Sequence, residues 1–291
     1  MIPAPFEYHA PASLDEAIAL LERHGEDAKV LSGGQSLIPM MKLRLASPPH
    51  VIDINRIPDL TYLREVDGAL TIGALVRETD LEESDLVRVK YPVLHDACRH
   101  IADPVVRNLA TICGNLAHGD PANDHPAVML ALGATMVVRG PRGRREVAAS
   151  DFFTGLYATA LAPDEILVEI RVPVPPPKSG GAYLKLERKV GDFATAAVAV
   201  QVTLGADGRI ARAGIGLTNV GPTALKAVTA EAALAGRAPE AAAIKEAARL
   251  AAEESQPTAD ARGSVEYKRD LVRVLTGRAV GRALERAKGA R

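Results

Sequence analysis

The chain has 291 residues, of which 47% are hydrophobic and 24% are charged, so it is long enough for two domains with sizeable cores. A net charge of −1 and the lack of tryptophan disfavour a nucleic-acid surface, which needs basic patches and stacking rings. The two cysteines, Cys98 and Cys113, form no Cys-x-x-Cys pair. The chain alone therefore cannot ligate an iron–sulfur cluster or form a thiol-rich zinc site.

The first elements in chain order are predicted from capping, periodicity and glycine. Ser13 followed by Glu16 has the pattern of a capping box, and apolar residues then recur at helical spacing as far as Gly25, a typical helix stop. This pattern predicts a helix that ends near Gly25. Strands are predicted at 28–31, 50–54 and 69–73, and a further helix over 91–101.

The middle of the chain contains a long segment without clear periodicity. Residues 108–126 are rich in Gly, Asn, Asp and Pro, which predicts a loop. Loops of this length within a compact domain are uncommon and tend to be functional. Beyond it we predict a helix over 127–132 and strands over 135–139, 146–148 and 165–172.

A change of pattern marks the last third of the chain. The run 173–181 is the best linker candidate, because its prolines are stiff and Ser179-Gly180-Gly181 is flexible. Strands over 194–204 and 210–217 are then followed by Ala-rich helices from about residue 229, which indicates a separate α+β domain. The last helix is basic and amphipathic, and we expect its apolar face to pack on its own domain rather than on a membrane.

Two glycine-containing turns are candidate sites for a phosphate group. The first follows the strand at 28–31 as Ser32-Gly33-Gly34-Gln35-Ser36, and its glycines let consecutive backbone N–H groups point into one concavity. It is not Gly-x-Gly-x-x-Gly, so a Rossmann fold is disfavoured. The second is Thr111-Ile112-Cys113-Gly114-Asn115, followed by Asp124, whose polar groups suit sugar hydroxyls. Each turn taken alone is also consistent with an ordinary structural loop.

As a pair, the turns resemble the flavin motifs Ala-Gly-Gly-His/Gln-Ser and Thr-Ile-Gly-Gly-Asn/Asp. These motifs are typical of the FAD-binding medium subunits of molybdenum hydroxylases, especially aerobic carbon monoxide dehydrogenases. The resemblance covers nearly the whole chain. It extends to Ile2-Pro3, Phe6-Glu7-Tyr8-His9, Met41-Lys42, Asp103-Pro104, Leu184-Lys185-Leu186, Arg188-Lys189, Gly191-Asp192 and Gly216-Leu217-Thr218-Asn219-Val220.

The resemblance implies an α+β fold in two parts. Residues 1–177 would form a FAD-binding domain of the p-cresol methylhydroxylase and vanillyl-alcohol oxidase type. This domain would divide into a first subdomain over about 1–56 and a second over 57–177. Residues 178–291 would form the C-terminal α+β domain that is typical of carbon monoxide dehydrogenase flavoproteins.

The resemblance also implies which residues contact FAD. We predict no catalytic residue and no metal ligand on this chain. The pyrophosphate would be surrounded by Lys29, Val30, Leu31, Ser32, Gly33, Gly34, Gln35, Ser36 and Leu37. A second backbone cradle would consist of Thr111, Gly114 and Asn115, with Asp124 on the ribityl or ribose hydroxyls. Ile101 and Ala102 would approach the isoalloxazine ring, and Ile166, Leu167, Lys185, Asp192 and Phe193 would close over it. The charge of Lys29 or Lys185 would stabilise reduced anionic flavin.

Two residues depart from the family pattern. Cys113 stands where the first Gly of the usual Gly-Gly pair is expected, and a positive φ there would cost on the order of 1–2 kcal/mol and reshape the turn. Gln35 stands where His is common in the carbon monoxide enzymes, which weakens the assignment of that substrate.

The function implied by the resemblance is electron transfer through FAD. A large partner chain with a molybdenum cofactor would oxidise the substrate, and a small partner with two [2Fe-2S] clusters would relay electrons to this chain. The acceptor would be quinone or NAD, and the assembly a dimer of heterotrimers. Carbon monoxide is the preferred substrate, with aldehydes, xanthine and N-heterocycles as alternatives. The rival functions are a self-sufficient flavin oxidase and a flavin-free assembly scaffold.

The expected location is the cytoplasm, because the N-terminal residues have no signal-peptide pattern and no stretch is apolar enough to span a bilayer. Delivery of electrons to quinone leaves open a peripheral contact at the inner face of the membrane.

Overall fold

The computed structural model describes residues 1–289, so the last two residues of the predicted C-terminal domain lie outside the described part. Within these residues the chain forms sheets of three, five and four strands and one small two-stranded hairpin.

The first sheet is parallel and lies at the start of the chain. Its elements are β1 (Glu7–His9), α1 (Leu14–His24), β2 (Ala28–Leu31), α2 (Leu37–Lys42) and β3 (His50–Asp53). The strand order is β1-β3-β2, with α1 packing through Ala17, Ile18 and Leu21. The hydroxyl of Ser13 accepts from the backbone N–H of Glu16, so the predicted cap is confirmed.

The second sheet is antiparallel, with the order β4-β5-β10-β6-β7. Helices are inserted between its second and third strands in sequence. The elements are β4 (Leu63–Val66), β5 (Ala69–Gly73), α3 (Glu78–Glu83), α4 (Asp85–Lys90), α5 (Pro92–Cys98), α6 (Pro104–Arg107), α7 (Ile112–His118), α8 (Asp124–Leu132), β6 (Thr135–Gly140), β7 (Gly143–Ala148), α9 (Ala149–Phe152), β8 (Phe153–Gly155), β9 (Ala158–Thr159) and β10 (Ile166–Pro173). Strands β8 and β9 form the hairpin.

The prediction of a continuous loop over 108–126 was wrong. Helix α7 lies inside it, capped by the hydroxyl of Thr111 and ended by Gly119 at a φ of 67°. Gly114 and Asn115 are poor helix formers, which is why the sequence pattern predicted a loop. Burial of Ile112 and Leu116 in the core overrides that weak local preference.

The third sheet is antiparallel and precedes the C-terminal helices. Its elements are β11 (Ser179–Leu186), β12 (Ala196–Leu204), β13 (Ile210–Thr218), β14 (Leu225–Lys226), α10 (Val228–Leu234), α11 (Ala241–Glu254) and α12 (Val265–Gly289). The prediction of a flexible Ser179-Gly180-Gly181 linker was wrong, because these residues begin β11. A Cβ atom on Gly180 would lie 2.2 Å from the carbonyl oxygen of Ala283, so glycine serves the close approach of α12 rather than flexibility.

The third sheet separates two hydrophobic cores. Along β12, Ala197 and Ala199 belong to the core shared with the five-stranded sheet, whereas Ala196, Val198 and Val200 belong to the core beneath the C-terminal helices. This alternation follows from the two-residue period of a strand.

Helix α12 packs its apolar face on its own unit, as predicted, through residues that include Val272, Val280 and Leu284. None of the helices in residues 1–289 is both long enough and apolar enough to cross a membrane.

Gly216 lies where β13 meets α8, and we predict that its replacement by Ala lowers stability. The added Cβ would lie 2.0 Å from the carbonyl oxygen of Ala127, and such overpacking typically costs about 1–3 kcal/mol. The matched control is Gly281→Ala in α12, where no atom lies within 4 Å of the added Cβ. There the gain in helix propensity should stabilise by roughly 0.5–1 kcal/mol. Denaturant unfolding of both variants checks this, and equal stabilities would contradict the packing argument.

Candidate functional site

A cavity of about 850 Å³ opens where the three sheets and the helical insertion meet. This volume is in the upper part of the range of about 300–1,000 Å³ that is usual for ligand pockets. All twenty residues predicted to contact FAD line the cavity. They are Lys29, Val30, Leu31, Ser32, Gly33, Gly34, Gln35, Ser36, Leu37, Ile101, Ala102, Thr111, Gly114, Asn115, Asp124, Ile166, Leu167, Lys185, Asp192 and Phe193. Residues from four separate parts of the sequence therefore share one site.

The first glycine turn follows the carboxyl end of β2. Gly34 has a φ of 72°, in the left-handed region that favours glycine. A Cβ atom on Gly33 would lie 2.3 Å from the carbonyl oxygen of Leu109, so this backbone rests directly on the segment before α7. Among the described residues, no acceptor receives a hydrogen bond from the backbone N–H groups of Gly33, Gly34 or Gln35. Three adjacent amide donors are thus available to an anionic ligand.

The second turn is the start of α7, and it contacts the first. The hydroxyls of Ser32 and Thr111 are 2.9 Å apart, and Thr111 also accepts from the N–H of Gly114. A Cβ atom on Gly114 would approach the hydroxyls of Thr111 and Ser32 at 2.7 and 3.0 Å. The side-chain oxygen of Asn115 is buried and, in the described part of the chain, has no hydrogen-bond partner. A buried oxygen without a partner is costly, so a donor on the ligand would satisfy it.

Cys113 lies in the first turn of α7 and is buried. Its backbone is helical and has no positive φ, so the strain anticipated for a side chain at this position does not arise. Burial raises the pKa of the Cys113 thiol, with the carboxylates of Glu169 and Glu78 adding to the effect. The thiol is therefore neutral and serves as a small core residue.

A buried polar cluster lies at one side of the cavity. The carboxylate of Asp124 accepts from the hydroxyl of Tyr183 and, at 3.0 Å, from the ammonium of Lys185. Lys185 also donates to the carbonyl oxygen of His100 at 3.0 Å, and its side chain is 1% exposed. Burial raises the pKa of Asp124, and the charge of Lys185 opposes that rise. Lys185 is therefore fixed next to Ile101.

The loop after β11 closes against the residue pair at 101–102. Gly191 has a φ of 81°, and a Cβ there would lie 2.5 Å from the carbonyl oxygen of Ala102. Asp192 accepts from the guanidinium groups of Arg188 and Arg262 at 3.1 and 3.0 Å. Burial raises the pKa of Asp192, but these hydrogen bonds outweigh it and lower the pKa overall.

Several cavity-lining residues were not predicted from the sequence. They include Asn123, whose amide donates to the backbone oxygen of Asn115 at 2.8 Å, and Tyr157, whose ring lies 5.1 Å from that of His118. Burial lowers the pKa of His118, while the carboxylate of Asp120 opposes this. No local pattern marks Tyr157, because the β8–β9 hairpin reaches the site only through tertiary packing. The signal that could have indicated Asn123 is its place in the polar run before α8.

Comparison with known proteins identifies the family. Residues 4–175 match the FAD binding domain in molybdopterin dehydrogenase, and residues 181–283 match the C-terminal domain of CO dehydrogenase flavoproteins. The chain belongs to this FAD-binding family. The predicted fold class, a FAD-binding unit followed by a flavoprotein C-terminal unit, is confirmed.

Full-length relatives are found among carbon monoxide dehydrogenase medium chains. The chain is 47% identical to that of Afipia carboxidovorans, covering 99% of this chain and 100% of the relative. A solved carbon monoxide dehydrogenase structure from Hydrogenophaga pseudoflava matches with a TM-score of 0.96 and 50% identity, covering 98% of this chain and 99% of that one. Quinoline 2-oxidoreductase from Pseudomonas putida 86 matches with a TM-score of 0.92 and 33% identity, covering 99% of both chains.

The residues at the cavity fit the cofactor of the family. FAD carries an anionic pyrophosphate, and the free amides at 33–35 are donors of the kind that bind phosphate oxygens. The side-chain oxygen of Asn115, which has no hydrogen-bond partner within residues 1–289, can accept from a hydroxyl group of the cofactor. FAD is therefore the cofactor that this family member carries.

We predict that Gly34→Ala strongly lowers the FAD content. The substitution forces a side chain into a left-handed conformation at a cost of about 1–2 kcal/mol, and the added Cβ would lie 2.7 Å from the side chain of Ile38. Relief of this strain would displace the amide donors. The matched control is Gly68→Ala, because Gly68 has a similar φ of 77° but open space around it and no place in the cavity.

Flavin absorbance per chain after gel filtration measures the outcome. Gly68→Ala should lose stability but retain FAD, whereas Gly34→Ala should lose FAD. Equal flavin content in the two variants would contradict the assignment of the first turn.

Proposed function

We propose that this chain is the electron-transfer subunit of a molybdenum hydroxylase that oxidises carbon monoxide. The observation that carries the proposal is the cavity in which both glycine turns meet, in a chain that matches carbon monoxide dehydrogenase medium chains over its full length. The quinoline enzyme is less similar, which favours carbon monoxide over N-heterocycles. Gln35, at a position where His is common in the carbon monoxide enzymes, argues in the other direction.

The chain's own residues would bind and orient the cofactor. The amides at 33–35 would bind one side of the pyrophosphate. The turn at 111–115 would lie on the other side of it and contribute the side-chain oxygen of Asn115. Bound FAD accepts electrons singly and releases them in pairs, which is the chemistry that a relay requires. The polypeptide contributes position and electrostatics rather than proton transfer.

Lys185 is the cation that we assign to the ring end of the cofactor. Its ammonium is fixed on the carbonyl oxygen of His100, directly before Ile101 and Ala102, where the family approaches the isoalloxazine ring. Lys29 is exposed and belongs to β2, which leads into the first glycine turn. We therefore assign Lys29 to the pyrophosphate end and Lys185 to the stabilisation of added negative charge.

The partners would be a large chain that carries the molybdenum cofactor and a small chain with two [2Fe-2S] clusters, in a dimer of heterotrimers. The low cysteine content of this chain is consistent with clusters on another chain. We propose a cytoplasmic complex. A quinone acceptor would bring it to the inner face of the membrane, and NAD would not.

We predict that Lys185→Gln lowers the midpoint potential of the bound FAD. Loss of the ammonium leaves the nearby carboxylates of Asp124 and Glu187 without their counter-charge, which disfavours added electrons. The expected shift is on the order of tens of millivolts, where about 30 mV corresponds to about 1.4 kcal/mol for two electrons. Lys29→Gln is the control, with a smaller shift expected. Spectroelectrochemical titration distinguishes the two, and a larger shift in Lys29→Gln would reverse the assignment.

The proposal as a whole is tested by purifying the complex from its native host through a tag on this chain. We expect FAD, iron and molybdenum, two further chains, and dye reduction that depends on carbon monoxide. Faster turnover with an aldehyde, xanthine or quinoline would change the assigned substrate but leave the electron-transfer role of this chain unchanged. Oxidation of a small donor by the isolated chain would instead support an independent oxidase. An intact complex without flavin would support an assembly scaffold.

A further inference from the structure

Three of the seven histidines of the chain meet at the amino-terminal sheet. His9 is the last residue of β1, His24 ends α1 and His50 begins β3. One ring nitrogen of each lies within 4.8 Å of the other two. The Nε2 atom of His9 is 3.2 Å from the Nδ1 atom of His50, and the rings of His24 and His50 are 3.7 Å apart. None of the three lines the FAD cavity, so the cofactor does not explain the cluster.

A carboxylate adjoins two of the three imidazoles. The Oε2 atom of Glu7 is 3.5 Å from the Nδ1 atom of His50 and 3.9 Å from the Nε2 atom of His9. Imidazole nitrogens and a carboxylate oxygen are both ligands that Zn²⁺ accepts.

We propose that His9, His24 and His50 form a binding site for a divalent transition metal ion that prefers imidazole, with Zn²⁺ as the probe. Bonds of about 2.0–2.1 Å in a tetrahedron require ligand nitrogens about 3.3 Å apart. The ring nitrogens now lie up to 4.8 Å apart, so metal binding requires each distance to shorten by about 1.5 Å or less. Side-chain rotation of these half-buried rings can provide such a movement. The His24 and His50 rings, whose planes are inclined by 31° with centroids 3.7 Å apart, turn towards a common point. Glu7 or water completes the coordination.

Another group of candidate ligands, Glu78, Cys98 and His125, is better explained without an ion. All three are fully buried, and the Nε2 atom of His125 is 2.7 Å from the Oε2 atom of Glu78. This direct hydrogen bond already joins the pair. The amino-terminal histidines, in contrast, are half-buried and reachable from solvent.

Metal binding at this site joins three elements that the sequence separates. An ion held by the three histidines fastens the end of α1 to both β1 and β3. The turn at Gly25–Asp27 then leads into β2, which carries the first glycine turn. The site therefore stabilises the subdomain that holds the pyrophosphate, without forming part of the redox centre.

The test uses the full-length, FAD-containing chain after removal of metal ions by a chelator. Equilibrium dialysis against ZnCl₂ measures stoichiometry and affinity, and thermal unfolding measures stabilisation. Wild type should bind one Zn²⁺ with a rise in Tm. His24→Gln should weaken binding by more than about tenfold, since even outer-shell partners of metal sites are worth about 10–100-fold. The control is His95→Gln, outside the cluster, whose ring contacts the backbone oxygen of Glu82; its affinity should be unchanged.

Binding should also weaken in acid, because protonated imidazole is not a ligand. If His24→Gln unfolds without metal, His9→Gln on β1 tests the same site. The inference is overturned if wild type binds no Zn²⁺ at micromolar concentration. It is equally overturned if His24→Gln or a folded His9→Gln binds as tightly as wild type, or if His95→Gln loses affinity to the same extent as they do.

Discussion

The two glycine turns touch through the backbone of Gly33 and through the hydroxyls of Ser32 and Thr111, and the cavity depends on this contact. A side chain at Gly33 would collide with the carbonyl oxygen of Leu109, and the hydroxyls of Ser32 and Thr111 meet across the same junction. Residues 79 positions apart are thereby held at hydrogen-bond distance. Only with the turns in contact do the free amides at 33–35 and the oxygen of Asn115 face one cavity.

The third sheet forms the wall of the cavity that faces the glycine turns, and it thereby connects the C-terminal unit to the site. Tyr183 and Lys185 extend from β11 to Asp124 at the start of α8, so that buried hydrogen bonds join the two units. Behind Asp124, the neighbouring His125 is held by Glu78. Removing one partner of a buried ion pair such as Asp124–Lys185 commonly costs about 3–5 kcal/mol. The first turn of α8, which carries Asp124, is therefore firmly positioned. The ammonium of Lys185, next to Ile101, is therefore held in place by the fold itself.

From the sequence, the residues that line the cavity were predicted more accurately than the helices and loops around it. Glycine turns after a strand have a strong local signature, and a full-length family resemblance extends it to distant residues such as Lys185 and Phe193. Helix α7 was missed because Gly114 and Asn115 oppose helix formation locally, whereas burial of Ile112 and Leu116 and the Thr111 cap compensate. Tyr157 and the histidine cluster were missed because neither has a characteristic spacing. Tertiary packing alone brings His9, His24 and His50 together.

The most direct test of the central claim is a structure of the chain with FAD bound. The account predicts that the pyrophosphate lies between the amides at 33–35 and the turn at 111–115, with the isoalloxazine ring beside Ile101, Ala102 and Lys185. Both glycine turns should contact the same cofactor molecule. A pyrophosphate bound elsewhere, or a ring at the Lys29 end of the cavity, would contradict the assignment of the site.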